Sequence, residues 1–256
     1  MQRIYNYGSF LQAYALKKML EECGVEVEFV DYHPGKCILP SKEATGMKRK
    51  VQKGLEILRM KGRLRDKVQF LKYKKNYAGK NYPVLGLEEI YNYTPKLDLL
   101  VIGSDEVFNC IQDNSNVGFA PELFGAGHQA DRLGRYAASF GNTTLESLKK
   151  YQVDEQVAQW LRAFDAISVR DENSRKIVQE LTGKDPVCHL DPVLVYDYPA
   201  NLPETKAKIP HDPYMILYGY SGRFNKEEAG EIRKYAKRKG LKILCIGGIQ
   251  SCGDKF

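Results

Sequence analysis

The sequence has no apolar run long enough to cross a membrane. A membrane-spanning helix needs about 20 mostly apolar residues. Apolar stretches such as residues 97–102 contain only a few residues, and this one is interrupted by Asp98. The start of the chain also lacks the basic segment and apolar run that are typical of a signal peptide. We therefore expect a cytoplasmic protein.

Cysteine pairs and metal-ligand spacings are absent as well. The cysteines lie far apart without a C-x-x-C pair, which excludes a zinc-knuckle framework and disfavours a disulfide scaffold. The four histidines share no metal-ligand spacing, and no H-E-x-x-H, Walker A, G-x-S-x-G or complete G-x-G-x-x-G motif occurs. We expect no metal and no cofactor, and a reducing compartment. The cysteines are Cys23, Cys37, Cys110, Cys188, Cys245 and Cys252.

The composition is that of a globular protein. The chain has 256 residues, of which 43% are hydrophobic and 28% charged, enough for one large domain or two modest ones. Short apolar segments alternate with amphipathic ones, which predicts an α/β fold with a parallel sheet and right-handed crossovers. The predicted helices cover residues 10–23, 145–162, 172–181 and 226–239. The predicted strands cover residues 25–31, 97–103, 135–140, 166–170, 187–190, 215–220 and 241–246.

Prolines mark a domain boundary. Residues 198–213 contain four prolines and little apolar content, so we interpret them as a linker. The preceding residues 1–197 form one predicted domain, and residues 214–256 begin another. The latter contain a single βαβ unit, which does not cover both faces of its sheet. We therefore expect an incomplete C-terminal domain.

The net charge of +7 is concentrated in one segment. Residues 36–80 contain 15 Lys or Arg and three acidic residues. Apolar residues at helical spacing predict one or two amphipathic helices there, with apolar faces formed by Met47, Val51, Leu55 and Leu58 and by Leu64, Val68 and Leu71. Two interpretations remain: a solvated helical face, or a dock for an anionic acceptor or an anionic membrane surface. Nucleic acid is disfavoured because Phe70, Tyr73 and Tyr77 fall at helical packing positions.

The loops after the predicted strands supply the candidate site residues, since ligands of parallel sheets bind beyond the carboxyl ends of the strands. A helix start also favours anions, and Ser9 with Gln12 predicts a capping box there. Between a strand and a helix of the C-terminal segment lies a loose phosphate-loop candidate, formed by Gly219, Ser221 and Arg223. The other candidates are Asn6, Tyr7, Gly8, Ser104, Asp105, Ser139, Phe140, Gly141, Arg170 and Asp191.

Arg170 is the strongest of these candidates. A guanidinium fork at a strand end suits a carboxylate or a phosphate. The alternative is a structural ion pair with Asp171 or Glu172. Two neighbours further along are interpreted structurally: His189 as a core imidazole, and Asp191 as a turn former before a proline.

Several segments in order resemble the polysaccharide pyruvyl transferase family. They are residues 6–16 (NYGSFLQAYAL), 31–32 (DY), 103–109 (GSDEVFN), 136–141 (YAASFG), 164–171 (FDAISVRD) and 190–192 (LDP). The basic segment is not part of the match. The resemblance implies two Rossmann-like domains that face each other, as in the glycosyltransferase B architecture, with the active site between them.

The resemblance also implies a reaction. Such enzymes transfer pyruvate from phosphoenolpyruvate to two hydroxyls of a sugar as a ketal, in surface-polysaccharide synthesis. Phosphoenolpyruvate would contact Arg170 and the Gly219 to Arg223 loop. A glycan or lipid-linked saccharide would lie against the remaining candidates, of which Asn6, Gly8, Ser104, Asp105 and Ser139 line the N-terminal side of the cleft.

One family feature does not occur in this sequence. The Ser-Phe-His-Gly or Arg-x-His motif that supplies a general-acid histidine is absent, so that histidine is expected beyond Phe256. The activity is therefore expected only in a full-length form. A nucleotide-sugar-dependent glycosyltransferase of the same fold and a non-catalytic truncated relative are the alternatives.

Overall fold

The computed structural model describes residues 2–39, 60–112, 114, 116–198, 211–219 and 223–246, with only the backbone given for residues 60–67, 69 and 70. The chain divides into two compact units, Met1–Tyr198 and Pro199–Phe256.

The described chain contains both helices and strands. The helices are α1 (Tyr7–Glu22), α2 (Met60–Leu85), α3 (Leu145–Lys150), α4 (Asp154–Arg162), α5 (Glu172–Thr182), α6 (Pro192–Val195) and α7 (Lys226–Lys239). The strands are β1 (Leu97–Ile102), β2 (Ala130–Ala138), β3 (Ala166–Val169), β4 (Val187–Cys188), β5 (Tyr214–Tyr218) and β6 (Lys242–Ile246).

Both sheets are parallel, which confirms the prediction from alternating strands and helices. The first unit holds a four-stranded sheet in the order β1-β2-β3-β4, and each neighbouring pair is parallel. The second unit holds the parallel pair β5-β6 with α7 between them in sequence. This mixed α/β architecture is consistent with a Rossmann-like fold.

The first helix begins earlier than its sequence pattern predicts. α1 starts at Tyr7, and the side chain of Asn6 caps it by accepting a 2.7 Å hydrogen bond from the Gly8 amide. The predicted capping box of Ser9 and Gln12 is therefore wrong, because both residues lie inside the helix. Asn is among the best N-cap residues, so the sequence did contain the correct signal.

The predicted strand over residues 25–31 is absent. A cavity of about 400 Å³ lies along β1 and is lined by residues 25–32, by β1 itself and by one face of α1. The backbone therefore lacks the neighbouring strand that a ladder requires. The Asp31 amide donates to the Asn92 carbonyl at 2.6 Å, whereas the Val27 and Val30 carbonyls accept from the side chains of Lys17 and Gln2.

Two further boundaries differ from prediction. β2 begins at Ala130, five residues before the predicted start, because it pairs with β1 from Leu97 onward. The helix predicted over residues 145–162 is two helices, α3 and α4. The break lies at Gln152, whose φ of 56° is incompatible with a continuous right-handed helix.

An aromatic cluster forms the main core of the first unit. Phe108 stacks on Phe124 and Phe140, with ring centroids 4.7 and 4.8 Å apart, and Phe164 meets it edge-on. The guanidinium of Arg135 lies inside this cluster, 3.2 Å from the ring centroid of Phe108. Its position in an apolar core lowers the pKa of Arg135, because burial disfavours the charged form.

The basic segment is described in part. Its predicted first helical stretch lies outside the described residues, and the rest enters α2. Tyr77 is buried, as its helical spacing predicts, whereas Val68 and Leu71 are exposed, contrary to the predicted apolar face. Among the residues searched for membrane spans, which are the described ones, no helix combines the length and apolarity that a crossing needs.

Candidate functional site

The ends of β1, β2 and β3 are tied together by backbone hydrogen bonds. The Ser139 amide donates to the Asp105 carbonyl at 3.1 Å, which extends the pairing of β1 and β2 beyond both strands. The Arg170 amide donates to the Ala138 carbonyl at 3.2 Å. These bonds place the residues that follow the strands at one edge of the sheet.

Arg170 forms its ion pair across this edge. Its Nη1 donates a 2.7 Å hydrogen bond to Oδ2 of Asp191, and its Nη2 lies 3.9 Å from Oδ1 of Asp105. The alternative pairing with Asp171 or Glu172 is wrong. Asp171 caps α5 by accepting from the Ser174 amide at 2.8 Å, and Glu172 faces Arg175.

The first turns of α1 complete the cluster. The hydroxyl of Ser9 donates to Oδ2 of Asp105 at 3.3 Å, and the amide of Gln12 donates to Oδ2 of Asp191. Residues three apart share one helix face, so a single face of α1 meets both carboxylates. Ser9 and Gln12 were not among the candidate site residues, because their spacing was interpreted as a capping box. We call Ser9, Gln12, Asp105, Arg170 and Asp191 the strand-end cluster.

The charged side chains of the strand-end cluster carry one positive and two negative charges. Those of Arg170, Asp105 and Asp191 are 23%, 25% and 16% exposed, so all three are partly accessible to solvent. Asp191 also serves as the N-cap of α6, accepting from the Val193 amide at 3.0 Å. That contact agrees with its interpretation as a turn former.

Three tyrosines border the cluster as protonated phenols. Burial, and secondarily the charge of Asp105, raise the pKa of Tyr32 to about 12. Burial and the charge of Asp191 raise the pKa of Tyr198 to about 12 and that of Tyr136 above its usual value. At neutral pH these hydroxyls therefore remain hydrogen-bond donors.

His189 lies beside Tyr136 and is exposed, so its interpretation as a core imidazole is wrong. Its ring stacks on that of Tyr136, with centroids 5.2 Å apart. β4 is the edge strand of the sheet and both its residues are exposed, and His189 continues it, since the His189 amide donates to the Val169 carbonyl at 2.8 Å.

The residues after β2 have structural contacts. Phe140 is fully buried in the aromatic core, so its side chain does not line a cleft, and this candidate is corrected. Ser139 is buried and accepts from the Gly141 amide at 2.9 Å. Gly141 has a φ of 56°, in the left-handed region that favours glycine, and a Cβ there would lie 2.6 Å from Oε2 of Glu106, so the Glu106 side chain would have to shift. Ser104 is buried and lines the cavity beside β1.

The start of α1 has a mixed environment. The Asn6 carbonyl accepts a 2.8 Å hydrogen bond from the Tyr77 hydroxyl. Tyr7 is exposed, and its ring meets that of Tyr77 at 5.2 Å between centroids. Gly8 allows a close approach, since a Cβ there would lie 3.1 Å from Oδ1 of Asn6.

The second unit contains the remaining candidates. The Gly219 amide donates to the Ile246 carbonyl at 3.1 Å, which continues the β5-β6 ladder, and Arg223 is exposed. Ser221 lies outside the described residues. No group of three or more potential metal ligands occurs within the part of the chain that the structure describes.

Comparison with protein families identifies the family of the chain. A family model described as polysaccharide pyruvyl transferase matches residues 6–248, nearly the whole chain. No curated protein and no solved structure shows significant similarity to this chain. The matched range includes every residue of the strand-end cluster.

Proposed function

Since the chain belongs to the polysaccharide pyruvyl transferase family, we propose that it moves pyruvate from phosphoenolpyruvate onto two hydroxyls of a sugar. The observation that supports this reaction most strongly is the strand-end cluster. It combines a cation for an anionic donor with carboxylates for hydroxyl groups, at the edge where parallel sheets bind ligands.

Arg170 is proposed to bind the donor. Its guanidinium has several N–H donors, and the bond to Asp191 uses one of them. Arg170 therefore retains donors for the carboxylate of phosphoenolpyruvate while Asp191 fixes its orientation. Because the two carboxylates outnumber this one cation, a trianionic donor needs further positive groups. We propose that Gly219, Ser221 and Arg223 contribute to binding its phosphate.

The chemistry requires both proton transfer and anion binding. Protonation of the donor's methylene carbon makes C2 electrophilic, and a sugar hydroxyl then adds to C2. A second hydroxyl displaces the phosphate and closes the ketal. Of the two hydroxyl protons, one is balanced by the new methyl hydrogen and the other by the hydrogen phosphate released.

The acceptor is proposed to be a glycan or a lipid-linked saccharide, bound along Asn6, Tyr7, Gly8 and the strand-end carboxylates. A glycosyltransferase B arrangement of two Rossmann-like domains would bring the loop from Gly219 to Arg223 toward this surface. A general acid is needed to protonate the methylene carbon. No metal or cofactor is required for these steps.

The experiment is phosphate release from phosphoenolpyruvate by the whole purified protein with a panel of glycosides. We expect release only when an acceptor with two suitably spaced hydroxyls is present. Arg170→Ala should abolish donor binding, whereas Arg175→Ala, which removes an exposed arginine paired with Asp185, should not.

Thermal-shift titration separates this proposal from a nucleotide-sugar reaction. A ligand that binds only the native state raises the melting temperature, by an amount set by its concentration relative to its dissociation constant. Stabilisation by phosphoenolpyruvate, lost in Arg170→Ala, supports the proposal. Stabilisation by nucleoside diphosphates alone would overturn it.

A further inference from the structure

Asp105 has an unusual backbone conformation for a residue other than glycine. Its φ is 86°, and Ala137, which directly precedes its bridge partner Ala138, has a φ of 50°. Such conformations are strained and persist where the surrounding structure enforces them. Here the Ser139 amide holds the Asp105 carbonyl. The fold thus fixes the direction in which Asp105 leaves the sheet edge.

The two carboxylates of the strand-end cluster differ in how many hydrogen-bond acceptor sites remain free. Oδ2 of Asp191 accepts from both Arg170 and Gln12, and its Oδ1 accepts from the Val193 amide. In Asp105, Oδ1 accepts from the Glu106 amide at 2.9 Å, and Oδ2 accepts only a long bond from Ser9. A carboxylate has lone pairs for more bonds than these, so Asp105 retains acceptor sites.

The free acceptor sites of Asp105 lie near the guanidinium of Arg170. Nη2 of Arg170 lies 3.9 Å from Oδ1 of Asp105, beyond hydrogen-bond length, whereas Asp191 is in direct contact with Nη1. An anion bound to the free donors of Arg170 would therefore lie beside Asp105. A sugar hydroxyl between this anion and Asp105 would contact both phosphoenolpyruvate and the Asp105 carboxylate.

We propose that Asp105 is the catalytic base for the acceptor hydroxyl, an assignment that rests on the proposed function. As the hydroxyl oxygen forms its bond to C2 of the protonated donor, its O–H bond breaks. The proton passes to a carboxylate oxygen of Asp105, and the O–H electron pair forms the new C–O bond. Asp191 is a positioning residue that holds Arg170.

Other groups near the cluster fit this role less well. A phenol accepts a proton only after ionisation, and Tyr32, Tyr136 and Tyr198 remain protonated at neutral pH. His189 is exposed on the edge strand and its ring stacks on that of Tyr136. Asp105 is the carboxylate of the cluster that combines solvent access, free acceptor sites and proximity to Arg170.

Asp105→Asn tests the assignment with little structural change. Asn retains an oxygen for the Glu106 amide and tolerates the left-handed backbone. We expect kcat to fall about 10²–10⁴-fold, the usual contribution of acid–base catalysis, while phosphoenolpyruvate affinity changes only a few-fold. Asp98→Asn, an exposed aspartate on β1, should retain wild-type activity.

Asp105→Gly provides a second, independent readout. Glycine relaxes the strained backbone and leaves space beside Arg170 for a small carboxylate. Added formate should restore part of kcat in this variant and should leave the wild type and Asp98→Asn unchanged. A purely structural role for Asp105 would not respond to formate.

The outcomes separate the two proposals. If the wild type releases phosphate but Asp105→Asn keeps more than about a tenth of kcat, or formate has no effect on Asp105→Gly, Asp105 is not the base. If the wild type releases no phosphate with any acceptor, the proposed function itself fails and the assignment fails with it.

Discussion

Arg170 and Asp191 lie on different strand ends and are joined by a 2.7 Å hydrogen bond between Nη1 and Oδ2. The two residues are separated by α5 and β4 in sequence, so the parallel sheet is what brings them together. Their contact holds the guanidinium in place and lowers the net positive charge around it.

Asp191→Asn should therefore change donor affinity and turnover in opposite directions. Asn retains an oxygen for the Val193 amide but removes one negative charge beside Arg170. We expect tighter binding of phosphoenolpyruvate, about 3–10-fold, because a like charge is lost, and a kcat about 10-fold lower because the guanidinium is less well positioned. Calorimetric titration and steady-state kinetics measure the two effects. Weaker donor binding with an unchanged kcat would contradict this role.

Arg135→Met should stabilise the first unit. The Arg135 guanidinium is buried among phenylalanines, and its Nε and Nη1 have no hydrogen-bond partner. Replacing buried ion pairs by well-packed apolar side chains of similar volume has stabilised other proteins by about 1–4 kcal/mol. We expect a higher melting temperature for Arg135→Met in differential scanning calorimetry. Arg132→Met, an exposed change on the same strand, is the control, and destabilisation by Arg135→Met alone would contradict the prediction.

Strand ends were more predictable from the sequence than the contacts made there. β1, β3 and α5 were predicted almost to the residue, because buried apolar runs and amphipathic spacing are local signals. The pairing of Arg170 with Asp191 depends on tertiary approach and was missed in favour of near neighbours. Ser9 and Gln12 were misassigned for the same reason, since a capping pattern does not reveal the partner across the sheet.

Strand formation itself depended on a partner that sequence patterns do not show. Residues 25–31 alternate as a strand does, yet they line a cavity instead of joining β1. Alternation predicts a pleated, half-buried segment, whereas a ladder also needs an adjacent backbone. The burial of Phe140 was missed because a loop residue after a strand end was assumed to face the ligand.

Alkaline conditions should destabilise the protein partly through Cys110. Burial raises the pKa of the Cys110 thiol, whereas an exposed thiol in the unfolded chain has a pKa of about 8.5. Above that pH the unfolded state loses a proton that the native state keeps. The contribution of Cys110 to the free energy of unfolding is therefore complete below about pH 8.5. Above that pH this contribution falls by about 1.4 kcal/mol per pH unit.

Urea unfolding between neutral and alkaline pH measures this slope. Cys110→Ala should show a shallower decline than the wild type, whatever its stability at neutral pH. Thiol labelling gives an independent check, since Cys23 and Cys188 are exposed and should react in the native state, whereas Cys110 should react only after unfolding. Identical slopes in the two proteins would contradict the prediction.

The exposed lysines of α2 should attract an anionic surface if residues 36–80 form a docking segment. Reversal of Lys72, Lys75 and Lys80 to Glu should weaken binding to vesicles that contain anionic lipid by more than about 100-fold, since each lysine contributes about 1 kcal/mol there. Added salt should weaken wild-type binding similarly. Reversal of Lys149 and Lys150 on α3 is the control. Absent or salt-independent binding would leave the interpretation as a solvated helical face.

The most direct measurement follows the C2 carbon of isotopically labelled phosphoenolpyruvate by nuclear magnetic resonance, with the whole protein and a saccharide acceptor. The proposed reaction predicts that the enol carbon signal is replaced by a ketal carbon signal attached to the sugar, with equimolar phosphate, and that Arg170→Ala prevents both. Conversion to free pyruvate alone, or no change with any acceptor, would contradict it.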